Sequence, residues 1–328
     1  VPFRASRQKT HETNLIDRLQ ACAALDIDQL VVKQTFKAKT KMEGKTVIIT
    51  GANSGIGKET ARDLAKRGAK IIMACRNLET ADAVKDEIVK ESGNGNMVVK
   101  KLDLGSQKSI RKFAAEILKD EQKIDVLIHN AGMALAFRGQ TSEDGIELTM
   151  ATNHYGPFLL THLLIDLIKK SVPARIVIVA SELYRLASVN LDNLNPIGSF
   201  PAAYLYYVSK FANIYFAREL AKRLENTGIT VNFLHPGMID SGIWRNVPFP
   251  LNLPMMAITK GFFKKPKAGA QTTIYLATSQ EVANISGKYF VDCKEATLNR
   301  MAMDDDKAKK LWEESVKMVK LTPEDPKI

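Results

Sequence analysis

The chain has 328 residues, 45% of them hydrophobic, and a formal net charge of +11. That length supports a full core in one large domain or two small ones, and no apolar run approaches the roughly 18–20 residues that span a bilayer. The basic residues are spread along helices without a compact aromatic-and-basic motif, so no nucleic-acid partner is expected. Cys22, Cys75 and Cys293 show neither paired spacing nor a Cys-x-x-Cys, which argues against a disulfide framework or a zinc site and for a reducing compartment.

In chain order, residues 1–43 come first as an N-terminal extension, a mixed stretch around "NLIDRLQACAALDIDQLV" followed by the basic run "KQTFKAKTK". The chain begins at Val1 rather than Met, which leaves a removed anchor or targeting peptide open. This basic segment and "KGFFKKPK" (260–267) also leave peripheral membrane contact open. From Lys45 the pattern becomes regular. The runs "KTVIIT", "KIIMA", "MVVKKLD", "DVLIHN", "RIVIVA" and "ITVNFLH" alternate with amphipathic segments such as "IGKETARDLAKRG" and "SIRKFAAEILKD". Strands without in–out alternation are covered by helices on both faces, so the expected fold is α/β. It is a Rossmann-type doubly wound parallel sheet flanked by helices, in a single domain over 44–300. "DKAKKLWEESVKMVK" reads as one more amphipathic helix, within a C-terminal extension over 301–328.

Directly after the first strand stands "TGANSGIG", Thr50 to Gly57, opening into a helix. Gly51, Gly55 and Gly57 permit a tight turn and close backbone approach, and the helix start presents N–H groups and a positive dipole end to a pyrophosphate. Asn53, Ser54 and Ile56 lie within that cradle. Cys75 occupies the position at the end of the second strand where an acid would bond a ribose 2′-hydroxyl, and Arg76 and Asn77 follow it. An arginine there suits a 2′-phosphate that a carboxylate would repel, so NADP(H) is expected over NAD(H). Asp103 and Leu104, ending the third strand, are expected beside adenine. Asn130, Ala131 and Gly132, ending the fourth, are expected beneath the cofactor.

Further on, "RIVIVAS" ends in Ser181, off the carboxyl end of a strand where ligands of such sheets sit. "NHYG" (153–156) opens an earlier helix near the same place. In "PAAYLYYVSKFAN" (201–213), Tyr206 stands four residues before Lys210 and Tyr207 three before, so both share its helix face, while Tyr204 points away. Tyr207 begins an apolar stripe with Phe211, Ile214 and Tyr215 and reads as core, leaving Tyr206 as the candidate acid–base.

Taken together, these residues resemble the short-chain dehydrogenase/reductase superfamily. The match is carried by Thr50-Gly-x-x-x-Gly-x-Gly57, Asn130-Ala-Gly132, Asn153, Ser181, Tyr206-x-x-x-Lys210 and Pro236-Gly237. Longer stretches, among them "NHYGPFLLTHLL", "YYVSKFANIYFARELAKRL", "HPGMIDSGI" and "SGKYFVDC", resemble the microsomal and mitochondrial retinol dehydrogenases of the retinal-reductase branch. The resemblance implies an NADP(H)-dependent enzyme acting on a lipophilic alcohol or aldehyde, located in the cytoplasm or peripherally on endoplasmic reticulum or mitochondrial membrane. It implies Tyr206 as proton donor or acceptor, Lys210 as its partner and holder of the nicotinamide ribose, and Ser181 as the bond to the substrate oxygen. Asn153 would support a water chain. Pro236, Gly237 and Ile239 would contact the carboxamide, with Ser241 near the phosphates.

A lysine ammonium about 4 Å from a phenol contributes roughly 4 kcal/mol at an effective dielectric of about 20, which would bring Tyr206 toward physiological pH. His129, Ala180, Tyr155 and Pro157 depart from the family pattern without removing a catalytic group. The apolar stretch 241–265 is expected to form the substrate lid, with Tyr184 and Phe200 lining the pocket opposite. A steroid dehydrogenase, an NADP(H)-binding scaffold protein with little catalysis, and a homodimer contact stay open as alternatives.

Overall fold

The computed structural model describes residue 36, residues 40–135, 138–199, 202–237 and 239, and residues 264–328. Most of the N-terminal extension, most of the lid with Ser241, and Phe200 lie outside the described residues.

Strands β1 (Thr46–Thr50), β2 (Lys70–Cys75), β3 (Met97–Lys101), β4 (Val126–His129), β5 (Ala174–Val179) and β6 (Ile229–His235) match the six expected runs. Two three-residue strands escape the sequence pattern: β7 (Tyr289–Val291) and β8 (Lys294–Ala296). The sheet order is β3-β2-β1-β4-β5-β6-β7-β8. Every pairing from β3 through β7 is parallel, but β8 returns antiparallel to β7, a departure from the purely parallel expectation at one edge. Strand order reverses between β1 and β4, which opens a crevice at their carboxyl ends.

Helices cover both faces. On one lie α1 (Gly55–Lys66), α2 (Leu78–Ser92) and a later helix over Pro266–Thr278, packing Leu64, Ile88 and Ile274 against Val47, Ile49, Ile71 and Val126. On the other lie α3 (Gln107–Asp120), α4 (Gly156–Lys169) and α5 (Ala203–Arg223). In chain order the Pro266–Thr278 helix is α6, and α7 (Asp305–Met318) closes the chain. Ile48, Ile72 and Leu127, pointing opposite to Val47 and Ile49, join the core under α3, α4 and α5. Successive strand residues thus feed two cores, the physical reason the strands read as unbroken apolar runs.

α7 is packed into this core. Trp312 lies edge-on to Phe158 at 4.8 Å between ring centres and within 5.0 Å of His162, while the Arg223 guanidinium stacks on its outer face at 4.5 Å. His154 bonds Ser315 at 3.0 Å in the same interface. Among the described residues no helix is long and apolar enough to cross a membrane.

Candidate active site

The carboxyl ends of β1 and β4 are laced together. Thr50 Oγ1 accepts the N–H groups of Asn130 and Ala131, each at 3.0 Å, and Asn130 Nδ2 donates to the carbonyls of Thr50 and Gly51 at 2.9 and 3.2 Å. Gly51 has φ +67°, and a Cβ on Gly57 would collide with the Gly51 carbonyl oxygen; no other residue fits at Gly57 without moving the backbone. Ser54 stands exposed at the N-cap of α1 and makes no side-chain capping bond, so its side chain leaves the first N–H groups of the helix open. The cradle therefore fits a pyrophosphate.

Asn53 Nδ2 donates to Thr80 Oγ1 at 2.9 Å, and Thr80 N–H to Asn77 Oδ1 at 3.0 Å, tying the cradle to the start of α2. Arg76 is exposed beside them, and no carboxylate among the described residues pairs with its guanidinium. Cys75 is buried behind it, its thiol pushed up to about 11 by burial. Asp103 Oδ1 accepts the Gly105 N–H at 2.9 Å, and Leu104 is buried.

Asn153, Lys210 and the loop after β4 converge. A Cβ on Gly132 would lie 3.4 Å from Lys210 Nζ and 3.5 Å from Asn153 Oδ1. Asn153 does not open a helix as expected. It sits in a π-helical turn, Ala151–Tyr155, between a short turn at Leu148–Met150 and α4, and such a turn leaves backbone groups out of the regular ladder. Its amide is gripped on both sides: Oδ1 accepts Met133 N–H at 2.8 Å, while Nδ2 donates to Met133 O at 2.8 Å and Ser209 Oγ at 3.0 Å. Lys210 Nζ donates to the Val179 carbonyl at 2.8 Å and lies 5.6 Å from the Tyr206 ring centre. Ser181 follows β5, and its hydroxyl acts on the Tyr206 phenol so as to lower its pKa.

Tyr207 packs against the core with Phe211, Ile214 and Tyr215, as its stripe implied, and Tyr206 is buried as well, at 8% exposure, because α5 is packed nearly all round. Two expectations need correction. Tyr206 is not brought toward neutrality: burial pushes it up to about 12, against which the Ser181 hydroxyl acts downward, and the Tyr207 phenol adds to the rise. Burial pushes Lys210 the other way, down to about 8. Finally, Tyr184 has no exposure, and its hydroxyl accepts the Asn299 N–H at 3.1 Å, so among the described residues it packs the interior instead of lining a pocket.

Pro236 and Gly237, with φ +91° at the glycine, leave β6 beside this cluster. Ile239 is buried against Gly269, where Ile56 of the cradle also approaches. His129 is buried with Nε2 at 2.8 Å from Thr161 Oγ1, and burial pushes it down to about 3. It is a core histidine. Sequence reasoning missed the holders of the site, namely Ser209, the Met133 backbone and the Val179 carbonyl. Only Ser209, next to Lys210 in the motif, carried any local signal.

A glycine cradle at the switch point of a doubly wound sheet, with a buried tyrosine, serine and lysine beside it, defines a dinucleotide-dependent oxidoreductase. Residues 45–249 match the short chain dehydrogenase family, and the chain belongs to it. It is 46% identical over 295 residues to human retinol dehydrogenase 14, covering 85% of this chain and 88% of that protein. With human retinol dehydrogenase 13 it shares 39% identity over 307 residues, 92% of each chain. Among solved structures, an uncharacterized protein from Mycobacterium paratuberculosis superposes with a TM-score of 0.70 at 30% identity, covering 88% of this chain and 98% of that one. Pseudomonas aeruginosa RhlG, in an NADP active-site complex, superposes with a TM-score of 0.60 at 26% identity, covering 76% of this chain and 95% of that one. The protein is a retinol dehydrogenase-like short-chain dehydrogenase, of a family that uses nicotinamide cofactors.

Proposed function

We propose that this protein is an NADP(H)-dependent oxidoreductase that interconverts a lipophilic alcohol and its aldehyde or ketone, working mainly as a reductase on a retinoid or related isoprenoid. The observation that carries the reading is the convergence of Asn153, Ser181, Tyr206 and Lys210 beside Gly132. Arg76 supports NADP(H), because it is exposed just after β2, which ends in Cys75 rather than in an acid that would repel a 2′-phosphate. Gly51, Asn53, Ser54, Gly55, Ile56 and Gly57 would hold the pyrophosphate side of the cofactor. Asn77, Asp103, Leu104, Asn130 and Ala131 would line its adenosine half, and Pro236, Gly237 and Ile239 its nicotinamide half.

When bound, the nicotinamide supplies or accepts the hydride at the carbinol carbon. The chain's own residues do the rest. Ser181 and Tyr206 would hydrogen-bond the substrate oxygen and fix its position for the reaction. Tyr206 stays protonated through the physiological range and so donates its phenolic proton as the carbonyl oxygen gains charge. The Lys210 ammonium stabilises the phenolate left behind. Asn153, held rigid from both sides, keeps the floor beside Lys210 ordered for the returning proton. The retinol dehydrogenase relatives support the choice of substrate class.

A panel of NADPH oxidation assays tests this, using all-trans-retinal, farnesal and a ketosteroid. Turnover of an isoprenoid aldehyde supports the proposal. Turnover of the ketosteroid alone would make the protein a steroid dehydrogenase, and tight NADPH binding without any turnover would make it a cofactor-dependent binding protein.

A further inference from the structure

Ser181 has two demands on it. Its hydroxyl must face Tyr206 and the substrate oxygen, yet it stands at the head of the short 3-10 turn Glu182–Leu186, and serines at helix starts are drawn into capping the first free N–H groups. Two N–H groups open this turn. That of Leu183 reaches Ser181 Oγ at 3.3 Å. That of Glu182 donates elsewhere, to Nδ1 of His235 at 3.2 Å.

His235 ends β6, the strand paired with β5. Beyond the bond from Ala180 N–H to the Leu234 carbonyl at 2.8 Å, this imidazole makes the next link between the two chain segments. Since Nδ1 accepts, the ring is neutral with its proton on Nε2. The charged groups around it are engaged with one another. Glu182 takes a 2.5 Å bond from the Tyr289 hydroxyl and another from Arg185 Nε, and Lys264 pairs with Asp292 at 2.7 Å. At 4% exposure, His235 is left as a buried neutral acceptor aimed at the residue after Ser181.

We propose that His235 is a positioning residue. By accepting the Glu182 N–H it pins the turn that carries Ser181 to the strand leading into Pro236 and Gly237. The serine then caps only the Leu183 N–H, and its hydroxyl proton and second lone pair stay available to Tyr206 and substrate. This rests on the reading of Ser181 as the group that bonds the substrate oxygen.

The test compares His235→Asn with His235→Gln. The Asn oxygen lies the same number of bonds from Cα as Nδ1 and keeps the acceptor in place, whereas Gln carries it one bond farther out. Three quantities are read in each full-length variant: kcat for aldehyde reduction, KM for NADPH, and exchange of the Glu182 amide hydrogen. The Gln variant should lose about tenfold in kcat and exchange the Glu182 amide about tenfold faster, with KM for NADPH within about twofold. The Asn variant should recover both losses to within about threefold. Equal behaviour of the two variants in kcat and exchange overturns the proposal, as does a loss in the Gln variant with the Glu182 amide still protected. A wild type that reduces no aldehyde removes the catalytic reading itself. The exchange comparison then still decides whether His235 holds the turn.

Discussion

Lys210 Nζ spends its hydrogen bond on the Val179 carbonyl, at 2.8 Å, and stands 5.6 Å from the centre of the Tyr206 ring. Lysine and tyrosine thus share one buried space without a direct bond, and burial weakens the charge of each. Tyr206 is pushed up to about 12 and Lys210 down to about 8. Reduction should therefore hold level through neutral pH, with Tyr206 fully protonated. It should decline as pH rises through about 8, where Lys210 loses the charge that stabilises the developing phenolate. In Lys210→Met, kcat should fall by about a hundredfold or more, and the remaining rate should lack that alkaline decline. A pH–kcat profile of both proteins checks this.

Arg76 carries the cofactor preference. In Arg76→Ala the loss of a charge-assisted bond to a 2′-phosphate should raise KM for NADPH about tenfold to a hundredfold and leave KM for NADH within about twofold. Paired initial-rate measurements with the two cofactors decide the point. An equal rise for both would assign Arg76 to the fold instead.

Four histidines are buried neutral: His129, pushed down to about 3, and His154, His162 and His235, each pushed down to about 4, in every case first by burial. Their folded values lie below the unfolded one of about 6.5. Below about 6.5 the unfolded chain consequently binds more protons than the folded one, and stability falls as pH falls. The loss steepens toward about 4, at up to about 1.4 kcal/mol per pH unit for each histidine. Denaturant midpoints measured between pH 7 and 4.5 should drop steadily, and His162→Gln should flatten the slope if it folds.

α7 completes the core over α4 and α5. Trp312 fills the space between Phe158, His162 and Phe216, so Trp312→Ala should cost about 3–5 kcal/mol of stability. Chemical denaturation measures it. A loss under about 1 kcal/mol would show α7 to be an appendage rather than part of the core.

The six long strands and the glycine cradle were legible because local rules govern them: apolar runs between helices, and glycines where the backbone must bend or approach closely. β7 and β8 were not. Each has only three residues, and the reversal between them is made by Asp292 and Cys293 with φ of 49° and 62° rather than by glycine. The choice of Tyr206 came from its spacing to Lys210, and the stripe of Tyr207, Phe211, Ile214 and Tyr215 does pack on the core, but the burial of Tyr206 itself was not announced. A stripe argument assumes one buried face, and the sheet, α7 and the Ser181 turn between them enclose α5 on several sides. The ionisation of Tyr206 failed for a related reason. Sequence spacing gives a distance between charges, whereas the cost of removing a phenolate from water depends on neighbours far along the chain. Lys210 held by Val179, Asn153 by Ser209 and Met133, and Glu182 by His235 are all tertiary contacts that no local pattern announces.

The most direct test of the account is NADPH oxidation with all-trans-retinal by wild-type protein beside Tyr206→Phe, with NADPH affinity measured for both by fluorescence titration. The account predicts turnover in the wild type, a loss of about a hundredfold to ten-thousandfold in the variant, and NADPH affinity equal within about threefold. Full activity in Tyr206→Phe would contradict it, because the proton would then come from somewhere other than this phenol.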